Sequence, residues 1–200
     1  MPGALELIEF LVTQNVVVAI GHSAASAQCI HDAVAAGATL STHLGNGCGS
    51  TIDRHYNVLW PQLSNDGLIG AFIADGHHLP RDMLRAMVRA KGLDRTILVT
   101  DAVCAAGAPE GVYPLGELQV QVDANRKVTQ VGASNLAGSA LTLDVAVGNV
   151  CRWCELPLPT VWELASTRAA EAVGIQVSGT VDLAWDPAAF EVKILPTTPE

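Results

Sequence analysis

Four short apolar runs, each followed by a stretch of helical spacing, constrain this chain more than any other feature. They are NVVVAIG (15–21), ATLSTH (38–43), LIGAFIAD (68–75) and RTILVTD (95–101). A short continuous run such as NVVVAIG, without polar alternation, is the pattern of a strand buried on both faces, and strands separated by helices run parallel. Helical patterns fill the gaps over 24–36, ending at Gly37, over 56–65 with a break at Pro61, and within 76–92. Another helix, amphipathic, covers 3–13. The chain is therefore α/β, with a parallel sheet and crossover helices. Four units are too few for a closed (β/α)8 barrel, which takes about 250 residues. A small doubly wound sheet is the other architecture open to the pattern.

Beyond residue 101 the texture changes. GELQVQVDANRKVTQV (116–131) alternates apolar and polar about Asp123-Ala124-Asn125, which predicts a β-hairpin. Helical patterns follow at about 139–153 and 160–172, and the tail GTVDLAWDPAAFEVKIL (179–195) is strand-like. Half the residues are hydrophobic and 16% are charged, enough for a large core and against disorder. A net charge of −9 argues against a nucleic-acid surface. No apolar run approaches a membrane span and the N-terminus is not a signal peptide, so neither a membrane nor export is expected. Five cysteines make no disulfide framework, which predicts a reducing, cytoplasmic compartment. Cys151-x-x-Cys154 lies in a helical pattern without a second pair and reads as a packed helix face.

The polar residues decide what the strands are for. Each strand ends in a group able to bind a metal or move a proton: His22, then His43, then Asp75-Gly76-His77-His78, then Asp101. In parallel α/β folds the carboxyl ends of the strands carry the site, because the loops there converge. A lone histidine is usually a core residue; four successive strands ending this way point to a site. Two neutral imidazoles, a carboxylate and an open water position make a catalytic zinc-type centre, with Asp101 as the proton carrier, suited to hydrolysis of an amide. The loop Gly45-Asn46-Gly47-Cys48-Gly49 is either an anion cradle or a tight turn. It lacks the P-loop lysine, and Gly21-His22-Ser23-Ala24-Ala25 misses the last glycine of a serine-hydrolase elbow. His31 reads as a surface residue, His55 as a substrate contact or a loop residue, and Asp144 as part of a solvated helix face.

GHSAASAQCIHDAVAAGATLSTHLGNG resembles the region of N-acetylglucosamine-6-phosphate deacetylases with G-H-S, an alanine-rich helix and T-H-L-x-N. IADGHHL resembles the family's D-G-x-H segment, LVTDA the strand bearing its catalytic aspartate, NLAGSALTLDVAVGN its L-x-G-S-x-L-T segment and ASTRAAEAVGI its late helix. The resemblance runs from about residue 16 to 176. It implies the amidohydrolase superfamily, a (β/α)8 barrel with a small β-sandwich built from both chain ends. His22 and His43 then become ligands of a divalent metal, Zn2+ or Fe2+, and Asp101 the general acid/base. Asn46, Gly47, Arg54, Asp75, His78, Leu136, Ala137 and Gly138 become contacts of a small amino-sugar substrate, with Arg54 where the family keeps a phosphate-binding arginine.

The family's first metal ligand is a glutamate in H-x-E-G-P, and neither it nor the histidine that follows it has a counterpart before Gly21. The resemblance therefore implies the second half of the barrel, about strands 5 to 8, over 1–176, with 177–200 a remnant of the β-sandwich. Unpaired edges and barrel-facing apolar surface in such a half predict association, so a homo-oligomer is expected. Gly45 and Gly47 stand where the family usually has an aromatic and an alanine, which predicts a roomier binding loop. The expected activity is metal-dependent deacetylation of N-acetylglucosamine 6-phosphate. The alternatives are another amidohydrolase acting on a cyclic amide or N-acyl amino acid, and a catalytically incomplete half-barrel.

Overall fold

The computed structural model describes residues 2–196, so the last four residues of the expected sandwich remnant lie outside the described residues. Its centre is a four-stranded, all-parallel sheet of β1 (Ala19–Ile20), β2 (Leu40–Ser41), β3 (Ile69–Ile73) and β4 (Thr96–Val99), ordered as in the sequence. The crossovers carry α2 (Ala27–Ala35), α3 (Leu59–Ser64) and α4 (Arg81–Lys91), and α1 (Ala4–Thr13) precedes β1. Later come β5 (Gly111–Leu115), β6 (Leu118–Val122), β7 (Val128–Gln130), α5 (Leu143–Cys154), α6 (Leu158–Ala165), α7 (Thr167–Ala172), β8 (Leu183–Asp186) and β9 (Glu191–Ile194).

Alternate residues of the sheet serve two layers, as strand geometry requires. On one face Phe72 and Leu98 pack with Leu84, Met87 and Val88 of α4, Ala146, Val147 and Val150 of α5, Leu164 of α6 and Val192 of β9. Leu40, Ala71 and Ile97 face the other way, against Ala169 and Ala172 of α7. Val120, Val122 and Val128 of β5–β6–β7 form a separate small core with Ala105 and Ala140. The hairpin β8–β9 lies on α5, and Val192 belongs to the main core.

Several boundaries differ from the sequence expectation, each for a local reason. NVVVAIG is not buried on both faces: only Ala19 and Ile20 join the ladder, and Val16 and Val17 precede it and are exposed at the β1 edge of the sheet. Pro61 does not break α3. It sits in the first turn, where its missing N–H costs no hydrogen bond. α2 starts at Ala27, where the Ser26 hydroxyl accepts the Cys29 N–H. The last helical region splits at Ser166, whose backbone (φ −128°, ψ −92°) leaves the helix. The hairpin about 123–125 gains a third strand, β5, on its outer edge, where Pro114 is tolerated.

Candidate active site

The sheet delivers its polar strand ends to one side of the molecule. β1 and β2 are neighbours in parallel register, so the residues that follow them emerge together. His22 Nε2 and His43 Nε2 stand 3.0 Å apart, with the rings edge to face. His43 is buried, and its Nδ1 is a buried nitrogen without a hydrogen-bond partner among the described residues. Its backbone has left the strand (φ 30°), and the next residue, Leu44, donates its N–H to Ala71 of β3. His43 is thus held at a sharp exit from the sheet.

The glycine-rich loop is folded back onto this pair. Asn46 donates both its backbone N–H and its side-chain Nδ2–H to the His43 carbonyl (3.0 and 3.2 Å). Gly47 has φ 66°, and a Cβ there would meet His22 Cγ at 2.8 Å and His22 Cα at 3.0 Å. Only glycine fits that approach without moving the imidazole. A Cβ on Gly45 would come within 2.7 Å of Leu79 in the core. The glycines therefore seat the loop against His22 and Leu79, which packing explains and the sequence reading of a roomier loop did not.

A second group forms at the end of β3. Asp75 Oδ1 accepts the N–H groups of His77 and His78 (2.8 and 2.9 Å), and Oδ2 lies 2.7 Å from His78 Nδ1. Burial pushes the Asp75 carboxyl up, but the hydrogen bonds from the His78 ring and backbone, with His77, outweigh it and hold it below its ordinary value. His77 Nε2 reaches the Asn125 carbonyl at 2.9 Å, tying the β6–β7 turn to this loop.

The third group surrounds Asp101, which follows β4 with φ 50° and is exposed. Its carbonyl accepts the Ser139 N–H at 2.8 Å, while Ser139 accepts the Val103 N–H at 3.0 Å on its own carbonyl. The Ser139 hydroxyl donates to the Thr100 carbonyl. Gly138 (φ 72°) leaves no room for a Cβ, which would fall 2.5 Å from Val103 Cγ1. Gly138 and Ser139 are thereby clasped to the Asp101 segment, while Leu136 bridges Thr129 and Ala137 donates its N–H to the Val128 carbonyl of β7. Sequence reasoning gave Ser139 no role; its signal was the serine of NLAGSALT, directly after the predicted contacts.

Arg54 lies in an exposed loop in which Asp53 Oδ1 accepts the N–H groups of His55 and Tyr56. Those bonds draw the exposed Asp53 carboxyl below its ordinary value. The Arg54 carbonyl accepts the Trp60 indole N–H at 3.0 Å. A cleft of about 770 Å³ opens beside this loop, lined by Ser23, Gln28, His31, His55 and Trp60 among others, but not by Arg54. His31 and His55 are exposed, and Asp144 is half-buried on α5. Cys151 and Cys154 are buried on α5; burial pushes the Cys151 thiol up to about 11 and raises Cys154 as well.

As a metal centre the site is half supplied. Two nitrogens on one tetrahedral zinc, with bonds of about 2.05 Å, stand roughly 3.3 Å apart, so the 3.0 Å pair fits two adjacent positions. Among the described residues no third His, Cys, Asp or Glu completes a cluster with them.

Comparison with known proteins places the chain in a family. N-acetylglucosamine-6-phosphate deacetylase of Vibrio furnissii is 38% identical over 174 residues, covering 87% of this chain and 43% of the relative. N-acetylgalactosamine-6-phosphate deacetylase of Escherichia coli O157:H7 is 36% identical over 174 residues, covering 86% and 45%. The chain belongs to the N-acetylglucosamine-6-phosphate deacetylase family. It spans about half the length of the curated relatives it matches. Among solved structures, a point mutant of the Mycobacterium smegmatis deacetylase in complex with N-acetyl-D-glucosamine-6-phosphate superposes with TM-score 0.88. That match has 29% identity and covers 97% of this chain and 53% of that one. No family model matches the chain, and no helix among the described residues is long and apolar enough to cross a membrane.

Proposed function

We propose that this chain carries the metal-binding and proton-transfer half of a hydrolase that removes the acetyl group from an N-acetyl amino-sugar phosphate, most simply N-acetylglucosamine 6-phosphate. The observation that carries the reading is the meeting of His22 and His43 at 3.0 Å, at the ends of adjacent parallel strands, in a chain that belongs to this deacetylase family. Residues 1–176 would be strands 5 to 8 of a (β/α)8 barrel with their helices, and the tail a piece of the small β-sandwich. The four parallel strands in sequential order support this, since they are the order such a barrel uses.

His22 and His43 are the residues that would hold the metal. When bound, zinc or ferrous iron supplies Lewis acidity toward the amide carbonyl and acidifies water. Asp101 accepts the proton of the attacking water and returns it to the amine, which cannot depart unprotonated. Its exposed position at the end of β4 leaves the carboxylate free for that shuttle. Asn46 and Gly47, fixed to the two histidines, present the loop to the sugar, and Leu136 to Gly138, of which Gly138 abuts the Asp101 segment, are proposed as further sugar contacts. Arg54 is the group proposed to meet the phosphate, and His78 is proposed as a contact of the sugar.

Metal content of the purified chain, alone and as His22→Ala and His43→Ala, tests the centre. About one zinc or iron per chain, lost in both variants, is expected; no metal in the parent refutes assembly of the site in this chain alone. Acetate release from N-acetylglucosamine 6-phosphate, N-acetylgalactosamine 6-phosphate and their unphosphorylated forms then tests the substrate. Arg54→Ala should lose activity on the phosphorylated sugars only, and an equal loss on both kinds removes Arg54 from phosphate recognition.

A further inference from the structure

Asp75 was expected to touch the substrate, and its surroundings assign it a different task. Its side chain is 9% exposed and that of His78 is 6% exposed. Three donors already converge on the carboxylate: two backbone N–H groups on Oδ1 and the His78 ring on Oδ2. An ionised carboxylate only accepts, so the 2.7 Å contact requires the proton to sit on His78 Nδ1. The loop that carries both residues is braced from outside. Asn149 of α5 donates to the Ala74 carbonyl at 2.8 Å, and Trp153 packs against Gly76, where a Cβ would stand 3.2 Å from its ring.

We propose that Asp75 is a positioning residue that acts through His78, holding the imidazole with Nδ1–H on the carboxylate and leaving Nε2, across the ring, as the acceptor for a ligand hydroxyl. The identity of that ligand rests on the amino-sugar phosphate reading; the hold on His78 does not. A braced loop and a fixed tautomer mean that His78 loses little freedom on binding.

The test is nuclear magnetic resonance of the imidazole nitrogens in histidine-labelled chain, with His78 assigned by its absence in His78→Gln. In the parent chain the proton is expected on Nδ1. In Asp75→Asn the side-chain oxygen still accepts both backbone N–H groups, so the amide NH2 faces Nδ1 and the proton moves to Nε2. Such an inversion, with a dispersed amide spectrum, supports the proposal. A mere packing role for Asp75 would not produce it. An Nε2 proton in the parent, or the same tautomer in both chains, overturns the proposal; where Asp75→Asn does not fold, the parent tautomer alone decides. Titration with N-acetylglucosamine 6-phosphate should shift Nε2 in the parent and bind at least tenfold more weakly to Asp75→Asn. Equal affinity in the two overturns the proposal. A parent that binds no sugar phosphate while the tautomer inverts refutes the substrate reading and leaves the hold of Asp75 on His78 standing.

Discussion

Replacing Gly47 by alanine separates the two roles a glycine loop can have beside a histidine pair. The new Cβ would stand 2.8 Å from His22 Cγ, 2.9 Å from Cδ2 and 3.0 Å from its Cα. Ordinary contact begins near 3.4 Å, so the ring must retreat by at least 0.6 Å (3.4 less 2.8). The left-handed backbone (φ 66°) adds a strain of about 1–2 kcal/mol for any residue with a Cβ. Ligand positions in a working metal site hold to about 0.2 Å, so a shift of that size takes His22 out of register with His43. The expected result is a loss of about 2 kcal/mol in urea unfolding and a zinc affinity at least tenfold lower. Gly132→Ala is the control: its φ is 80° and nothing among the described residues lies within 4 Å of the added Cβ. It should show the strain alone, about 1 kcal/mol, with unchanged zinc affinity. If Gly47→Ala is no less stable than the control and binds zinc as the parent does, the packing of the loop on His22 is not what that glycine is for.

Other consequences of the structure are open to direct measurement. Gly148→Ala should destabilise the chain by about 1–2 kcal/mol: an added Cβ collides with the Phe190 carbonyl, and overpacking outweighs the roughly 1 kcal/mol that alanine gains in a helix. A neutral or stabilising result in thermal unfolding would mean that the β8–β9 hairpin is only loosely attached to α5. Lys91, buried and hydrogen-bonded to the Gln62 and Asn65 carbonyls, has its ammonium held down to about 8 by burial, against 10.5 in an unfolded chain. Between those values the unfolded chain binds the extra proton, so stability rises with pH, and the slope from pH 8 to 9 should vanish in Lys91→Met. Above pH 9 the raised Cys151 thiol acts in the opposite sense, because the unfolded chain then loses a proton that the folded one keeps. A thiol reagent should label exposed Cys29 and Cys104 at once and spare Cys151 and Cys154 until the chain unfolds; early labelling of either would contradict their burial.

The parts of this molecule legible in the sequence are those where one residue's surroundings follow from its neighbours in the chain. Continuous apolar runs marked β3 and β4 well, because helices shield the faces they present, whereas ATLSTH shrinks to the two residues of β2. β1 was overread: Val16 and Val17 have the composition of an interior strand but precede the ladder and are exposed. By contrast β4, at the other edge, is covered by α5, α6 and α7, a difference no local pattern encodes. Pro61 misled for a related reason, since it stands in the first turn of its helix, which tolerates a missing N–H.

At the site the same division holds. That His22 and His43 end neighbouring strands could be read from the order of the runs, and their meeting follows from a parallel pair in register. What Gly47, Asp75 and Ser139 do could not be read that way. The face of Gly47 is filled by a ring 25 residues earlier in the chain, and Ser139 closes on a carbonyl 39 residues before it. Asp75 lies only three residues from its partner, yet its role depended on the loop turning so that both carboxylate oxygens are consumed. A polar residue at a strand end is thus legible as belonging to a site, while its rank within the site, contact or support, is set by which of its atoms the fold leaves free. By that measure Asp75, Ser139 and the two loop glycines are what holds the surrounding segments in place, and the proposed ligand contacts of Asp101 and His78 rest on side-chain atoms for which the fold supplies no other partner among the described residues.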